Sequence, residues 1–130
     1  MNTDTPSAMT KPRILIVEDE SIVAMDIALQ LRNLGYQPIG HATSGEQAIE
    51  LAGRLGPDLA LMDIQLATDM DGITTAMTMR KQFDLPCVFL SAFDGSDSLA
   101  RAKLADPAGY VIKPFTEHDL RTAMETALKV

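Results

Sequence analysis

The chain has 130 residues, of which 46% are hydrophobic and 22% are charged, a size and composition typical of one compact domain. Its formal charge of −7 argues against direct nucleic-acid binding, because each phosphate contact requires a lysine or an arginine. No apolar run approaches the roughly 20 residues of a membrane-spanning helix, and residues 1–12 lack the apolar stretch of a secretory signal. We therefore expect a soluble cytoplasmic protein with a flexible leader at residues 1–12 and one folded domain at residues 13–130.

Five short apolar runs alternate along the chain with longer segments of helical periodicity. The runs lie at residues 13–17, 38–42, 58–62, 87–90 and 109–112. Most are continuously apolar, as strands covered on both faces require, and the intervening segments are long enough for crossover helices. This pattern predicts an α/β fold of the flavodoxin-like, doubly wound (βα)5 kind, with a five-stranded parallel sheet in the order 2-1-3-4-5. The lone cysteine, Cys87, lies in the fourth apolar run and is expected to be a buried, unreactive side chain.

Apolar residues at helical spacing mark the buried face of the first two intervening segments. They are Ala24, Ile27, Ala28, Leu31 and Leu34 in the first, and Ala48, Leu51, Ala52 and Leu55 in the second. Gly35 and Gly56 provide helix ends, and Ser44 to Gln47 forms a capping-box pattern at the start of the second helix. Both segments therefore predict amphipathic helices that pack on the sheet.

The last three helices differ in how much apolar surface they can bury. The third is expected to have Asp71 as its N-cap and to turn Ile73, Ala76 and Met77 inward. The fourth begins near Ser96 and has little to bury: Leu99, Ala102, and Leu104 or Ala105. The fifth opens with a capping box at Thr116 to Asp119 and buries Leu120, Ala123, Met124, Ala127 and Leu128. The fourth helix is thus predicted to be the weakest.

Polar and charged residues follow the apolar runs at the points where the predicted strands end. Glu18, Asp19 and Glu20 follow the first, Asp63 the third, Ser91 the fourth and Lys113 the fifth. Because ligands of open α/β sheets bind at the carboxyl ends of the strands, these side chains are expected to meet at one edge. Each has an ordinary structural explanation, as an N-cap, a turn residue or a loop residue. Their joint occurrence on the correct strands favours a functional site.

Three carboxylates at one edge repel one another, and a divalent cation would relieve that repulsion. Oxygen ligands favour Mg²⁺, and zinc is disfavoured because His41 and His118 are expected to lie elsewhere. With the charge offset by the cation and Lys113, Asp63 could stay ionised and attack a phosphoryl donor. Lys113 and the Ser91 hydroxyl would then hold the phosphoryl oxygens.

Five motifs, RILIVEDE, LALMDIQL, DGI, VFLSA and GYVIKPF, resemble in order and spacing the receiver domain of two-component response regulators. The resemblance covers about residues 12–129. It implies that Glu18 and Asp19 bind Mg²⁺ together with Asp63 and the backbone carbonyl of Gln65, and that Asp63 is the phosphoacceptor. It further implies Ser91 as the switch hydroxyl, Tyr110 as the mobile aromatic, Lys113 as the phosphoryl-binding lysine, and a cis Lys113–Pro114 bond.

The resemblance also implies partners and a phosphoryl lifetime. The phosphoryl donor would be a sensor histidine kinase or a histidine phosphotransfer protein, and a stand-alone receiver would signal by binding a downstream protein. Gln65 and Phe93 match the positions that flank the approach of hydrolytic water, so Phe93→Ala is expected to shorten the lifetime. The loop after Asp63 lacks the common proline and is one residue longer than in many relatives, and Asp69 and Asp71 within it are expected to be turn and cap residues.

Other functions remain open from the sequence. The chain could be a pseudo-receiver that binds a partner without phosphorylation, or a receiver fragment of a larger regulator or hybrid kinase. An aspartate-nucleophile phosphatase is disfavoured because Gln65 stands where an acid or base would be needed, so the chain is expected not to be an enzyme beyond its own phosphorylation and dephosphorylation. A flavin carrier is disfavoured because the first strand-to-helix turn is acidic. Dimerisation of a phosphorylated form is also left open.

Overall fold

Five strands and five helices alternate along the residues that the computed structural model describes, which are 11–66, 70–92 and 98–128, without the side chains of 98–100. The strands β1 to β5 are Arg13–Val17, Gln37–Ala42, Leu59–Asp63, Cys87–Ala92 and Gly109–Lys113. The helices α1 to α5 are Ser21–Asn33, Gly45–Leu55, Gly72–Phe83, Ser98–Leu104 and Glu117–Leu128. Most of the predicted leader, together with Asp69, Phe93 and Ser96, lies outside the described residues.

The strands form one parallel sheet in the order β2-β1-β3-β4-β5. The predicted fold class and strand order are therefore confirmed. Val17 at the end of β1 pairs with Met62 of β3, and Asp63 pairs with Leu90 of β4. This register brings the carboxyl ends of β1, β3 and β4 to one edge of the sheet.

The core has two layers, one on each face of the sheet. Along β1, Leu15 and Val17 belong to the layer beneath α2, α3 and α4, whereas Ile14 and Ile16 belong to the layer beneath α1 and α5. All four side chains are buried, and each contributes about 1.5–3 kcal/mol relative to an exposed position. Burial on both faces explains why the strand sequences are continuously apolar.

Side-chain caps fix the starts of α2, α3 and α5. In α5 the capping box is reciprocal: the Asp119 backbone N–H donates to Thr116 Oγ1 (3.1 Å), and the Thr116 N–H donates to Asp119 Oδ2 (3.0 Å). In α2, Ser44 Oγ accepts from the Gln47 N–H (3.1 Å), but the Gln47 side chain accepts from the Thr43 N–H (2.7 Å). The predicted caps are confirmed, and in α2 the return bond goes to the residue before the cap.

The inward face of α3 differs from the prediction. Met77 is 47% exposed, whereas Thr75 and Met79 are fully buried, so the assignment of Met77 to the core is wrong. Thr75 is tolerated inside because its hydroxyl donates to the Asp71 carbonyl (2.8 Å), which satisfies the buried polar group within the helix. In α4 and the turn after it, Ala102 and Ala105 are buried and Leu104 is 76% exposed, so Ala105 is the core residue of the two alternatives.

The cysteine and the helix lengths can also be compared with the expectations from the sequence. Cys87 is buried, and burial raises the pKa of its thiol to about 12, so the thiol is inert at neutral pH. Within the described ranges, every helix is too short or too polar to cross a membrane.

Candidate functional site

Three carboxylates converge where β1 and β3 end. Glu18 and Asp19 follow β1, and Asp63 is the last residue of the neighbouring strand β3. One carboxylate oxygen of each lies within 4.8 Å of one from each of the others. Glu18 is fully buried and Asp63 is 7% exposed, so their negative charges repel in a poorly hydrated setting. The predicted acidic cluster is present, and oxygen atoms are the ligands that Mg²⁺ prefers.

The pKa of Glu18 is set by opposing effects of burial and of its charged and hydrogen-bonding neighbours. Burial raises the pKa above its ordinary value of 4.5, and the nearby Asp63 charge raises it further. Two contacts act in the opposite direction, namely the Glu20 N–H that donates to Glu18 Oε2 (3.1 Å) and the Lys113 ammonium. These two contacts therefore offset only part of the effect of burial and of the Asp63 charge on the Glu18 pKa.

Lys113 supplies the positive charge of the site from the end of β5. Its Nζ lies 3.1 Å from Glu18 Oε1 and 3.4 Å from Asp63 Oδ2. Burial alone would lower the pKa of Lys113, but the Asp63 and Glu18 carboxylates outweigh that effect and raise it above 10.5. The peptide bond from Lys113 to Pro114 is cis, as the resemblance implied. Lys113 is thus a fixed ammonium group facing both carboxylates.

The Asp63 carboxylate is oriented by its own turn as well as by Lys113. The Gln65 backbone N–H donates to Asp63 Oδ1 (3.0 Å), and Oδ2 faces the lysine. Gln65 itself is exposed, and the metal-binding role of its backbone carbonyl stays a prediction. The turn and Lys113 together therefore hold both carboxylate oxygens of Asp63.

The predicted switch residues lie on the last two strands of the sheet, Ser91 on β4 beside Asp63 and Tyr110 on the edge strand β5. Ser91 is buried near the end of β4, and its hydroxyl donates to the Ala92 carbonyl (3.2 Å). Tyr110 of β5 pairs with Phe89 of β4, and its half-buried ring packs against the layer beneath α2, α3 and α4. Their roles in switching stay predictions, as does that of Phe93, which lies outside the described residues.

His41 is a site residue that the sequence analysis missed. The expectation that it lies away from the acidic residues is wrong, because His41 Nε2 is 2.7 Å from the Glu18 backbone oxygen. A ring-to-carbonyl contact across two strands has no local sequence signal. The ring is not among the clustered ligand groups of the described chain, which are all carboxylates. His118 is exposed on α5.

Gly72 allows α3 to begin directly against the Asp63 backbone. Its N–H donates to the Ile64 carbonyl (3.0 Å), and a Cβ at this position would overlap the Asp63 carbonyl oxygen.

We expect Gly72→Ala to lower the free energy of unfolding by about 1–3 kcal/mol, because backbone atoms must move to admit the methyl group. Urea unfolding measures the loss. Gly53→Ala is the control, because the three atoms nearest to its added Cβ belong to the Phe83 side chain and not to backbone. Equal stability of Gly72→Ala and the parent would contradict the close approach.

Asp71 links the start of α3 to α4. Its Oδ1 accepts from the Thr74 N–H (2.8 Å), and its Oδ2 pairs with Arg101 (2.9 Å). Burial would raise the pKa of Asp71, but the Thr74 N–H and the Arg101 guanidinium outweigh burial and lower it below 3.8. Asp71 therefore caps α3 and ties it electrostatically to α4.

The stabilisation by Asp71 is expected to depend on pH. A lowered folded-state pKa means that the contribution is present above 3.8 and is lost as the pH falls through the folded value. We expect Asp71→Ala to cost about 1 kcal/mol at neutral pH and less as the pH falls below 3.8, measured by urea unfolding. Arg101→Gln, which removes only the surface ion pair, should cost less. A loss for Asp71→Ala that stays constant with pH would contradict the assignment.

The model of the response regulator receiver domain family matches residues 14–125, so the chain belongs to that family. Among solved structures, it is similar to the signal receiver domain of a modulated diguanylate cyclase from Desulfovibrio desulfuricans, with 36% identity, a TM-score of 0.86, and coverage of 92% of this chain and 95% of that chain. It is also similar to the receiver domain of the Erythrobacter litoralis response regulator PhyR, with 35% identity, a TM-score of 0.82, and coverage of 94% and 93%.

Curated relatives are longer than this chain. The transcriptional regulatory protein PdtaR of Mycobacterium tuberculosis is 40% identical over 97% of this chain and 60% of its own length. The phyllosphere-induced regulator PhyR of Methylorubrum extorquens is 32% identical over 88% of this chain and 43% of its own length. The chain thus spans about 60% or less of the length of these two relatives.

Proposed function

We propose that this receiver accepts a phosphoryl group on Asp63 in a Mg²⁺-dependent reaction and signals by a change in protein binding. The observation that carries the proposal is the cluster of Glu18, Asp19 and Asp63 facing the Lys113 ammonium. Two carboxylates remain beside the nucleophile to hold a cation, and the lysine remains to hold phosphoryl oxygens. The same residues carry the resemblance to response-regulator receivers.

The donor set fits Mg²⁺. Glu18 and Asp19, with Asp63, offer carboxylate oxygens only, and the raised pKa of Glu18 reflects a negative charge that lacks full compensation. When bound, Mg²⁺ would neutralise charge on the carboxylates and on the phosphoryl group. The Gln65 backbone carbonyl is the fourth protein ligand in this proposal.

The chemical step is a transfer between a donor and the Asp63 carboxylate. A carboxylate oxygen of Asp63 bonds to phosphorus as the bond from phosphorus to the donor nitrogen breaks, and the electron pair stays on the donor imidazole. The Lys113 ammonium, already beside Asp63 Oδ2 (3.4 Å), stabilises the negative phosphoryl oxygens. Ser91, on the adjacent strand β4, supplies the hydroxyl that responds to the new group.

The phosphoryl donor in this proposal is a sensor histidine kinase or a histidine phosphotransfer protein, and the output is a downstream protein that distinguishes the two states. The Tyr110 ring, half-buried between β5 and the core, would change position with the state. Beyond its own phosphorylation and dephosphorylation, with Gln65 and Phe93 setting the lifetime, the chain would turn over no substrate. With a formal charge of −7, this chain would not itself bind nucleic acid.

Acetyl phosphate tests the proposal without knowledge of the natural donor. After incubation with it, intact-mass spectrometry should show one phosphoryl adduct in the presence of Mg²⁺ and none when EDTA removes the metal. An adduct that forms equally well with EDTA would overturn the metal requirement. If a folded protein forms no adduct under either condition, the phosphorylation-independent pseudo-receiver becomes the better account.

A further inference from the structure

The Glu18–Asp19 peptide joins two of the three clustered carboxylates, and its carbonyl is held from the neighbouring strand. His41 of β2 contacts the Glu18 backbone oxygen through Nε2 at 2.7 Å. Because a carbonyl oxygen can only accept, the contact requires hydrogen on Nε2 of the ring. The ring is half-buried, so the bond is partly protected from water.

This hydrogen bond lies where the backbone ladder between β1 and β2 ends. The ladder runs one residue past β1, since the Glu18 N–H donates to the Ala42 carbonyl (3.0 Å). The Thr43 N–H belongs to the same peptide as the Ala42 carbonyl, so it points away from β1, and it donates to Gln47 Oε1 (2.7 Å). The His41 side chain contacts the Glu18 carbonyl at this end of the ladder.

A bulge in β2 sets the face on which His41 lies. The pairing of β1 with β2 shifts between Ile14 and Leu15, so that Ile39 is passed over and His41 pairs with Ile16. Paired residues of neighbouring strands share a face, and Ile16 belongs to the layer beneath α1. Without the extra residue, His41 would pair with Val17 and lie on the opposite face. Bulges commonly re-aim a side chain beside a functional site.

We propose that His41 is a positioning residue for the cation site: by holding the Glu18 carbonyl it fixes the peptide from which both acidic side chains project. The proposal rests on the proposed function, because the cation it serves is Mg²⁺. Partners of this kind, one step removed from the metal, orient the ligands and commonly change metal affinity by about 10–100-fold when removed.

Two substitutions at position 41 separate the hydrogen bond from packing. His41→Phe keeps a flat ring among Met25, Ala28 and Pro38, which line the same cavity, but has no donor. His41→Gln ends in an N–H at a comparable distance from Cβ. Thr43→Val is the matched control, because it removes the Thr43 hydroxyl bond to Gln47 (3.1 Å) without touching Glu18.

Isothermal titration with MgCl2 measures the Kd of each variant, and thermal unfolding of the metal-free proteins measures stability. We expect His41→Phe to weaken Mg²⁺ binding about 10-fold or more, with His41→Gln and Thr43→Val near the parent. Equal affinities of His41→Phe and the parent would overturn the positioning role and leave the proposed function standing. A parent that binds no Mg²⁺ would remove the proposed function and this inference with it. Affinity lost equally in His41→Gln and His41→Phe would also overturn the role, since the N–H would not be what matters.

A spectroscopic measurement on the parent does not depend on how the variants fold. Ring nitrogen chemical shifts of ¹⁵N-labelled histidine should show His41 with hydrogen on Nε2 in the metal-free protein. A ring with hydrogen on Nδ1 alone cannot donate to Glu18 and would overturn the assignment.

Discussion

The Asp63→Asn variant is expected to acquire no phosphoryl group from acetyl phosphate, with or without Mg²⁺. A neutral amide is a far weaker nucleophile than the carboxylate, which in the parent is oriented by the Gln65 N–H and Lys113. The loss should be complete by intact-mass spectrometry, whereas circular dichroism should show a folded protein. Asn occupies nearly the same volume as Asp, and removal of one negative charge relieves the repulsion that helps to raise the pKa of Glu18.

Asp84→Asn is the matched control for this prediction. The Asp84 side chain is 97% exposed at the end of α3, so the same chemical change there should leave the adduct unaffected. An adduct of parental abundance on Asp63→Asn would place the acceptor on another residue and contradict the proposed function.

Lys113→Met is expected to impair both stability and phosphorylation. The substitution leaves the fully buried Glu18 beside Asp63 without its ammonium partner, and an uncompensated buried charge is costly. Because the Lys113 side chain is 26% exposed, we expect a loss of about 2 kcal/mol at neutral pH rather than the 3–5 kcal/mol of a fully buried pair. Urea unfolding measures the loss, and intact-mass spectrometry should show much slower adduct formation.

The loss of stability should respond to pH and to Mg²⁺ in a defined direction. Glu18 already has a pKa above 4.5 in the folded parent, and removal of Lys113 raises it further. A folded-state pKa above the unfolded value means that stability falls as the pH rises through that window. The cost of Lys113→Met should therefore shrink toward pH 4.5, and added Mg²⁺ should restore stability at neutral pH by binding the folded state.

Lys103→Met controls for the loss of a positive charge as such, because Lys103 is exposed on α4. It should leave stability and adduct formation close to those of the parent. If Lys113→Met were as stable as Lys103→Met at neutral pH and gained nothing from Mg²⁺, Lys113 would not be the counter-charge of the acidic cluster.

The sequence predicted those parts of the site that follow directly from where strands end. Glu18 and Asp63 each interrupt or follow a continuously apolar run, and parallel strands bring such positions to one edge. Lys113, at the end of the edge strand β5, was predicted for the same reason. The capping box of α5 was equally predictable, because both of its bonds join residues three apart.

The features that were missed depend on contacts between distant segments. Met77 fits an amphipathic pattern as well as Met79 does, and only the packing of α3 shows that the buried positions are Met79 and Thr75. The burial of Thr75 depends on a hydroxyl bond within its own helix, which makes a polar residue acceptable in the core. His41 was missed because the bulge that aims it toward α1 is a property of strand pairing. Pro38 and Gly40, which flank the passed-over Ile39, are the signal that could have found it, because proline and glycine within a strand often mark a bulge.

The most direct test of the account is chemical identification of the residue that carries the phosphoryl group. Borohydride reduces an aspartyl phosphate to homoserine, so the Mg²⁺-dependent adduct can be trapped and located by tandem mass spectrometry of peptides. Homoserine is expected at position 63 and at no other aspartate, including Asp69 and Asp71, which follow Asp63 closely in the sequence. Homoserine at another position, with Asp63 unmodified, would contradict the assignment of Asp63 as the phosphoacceptor.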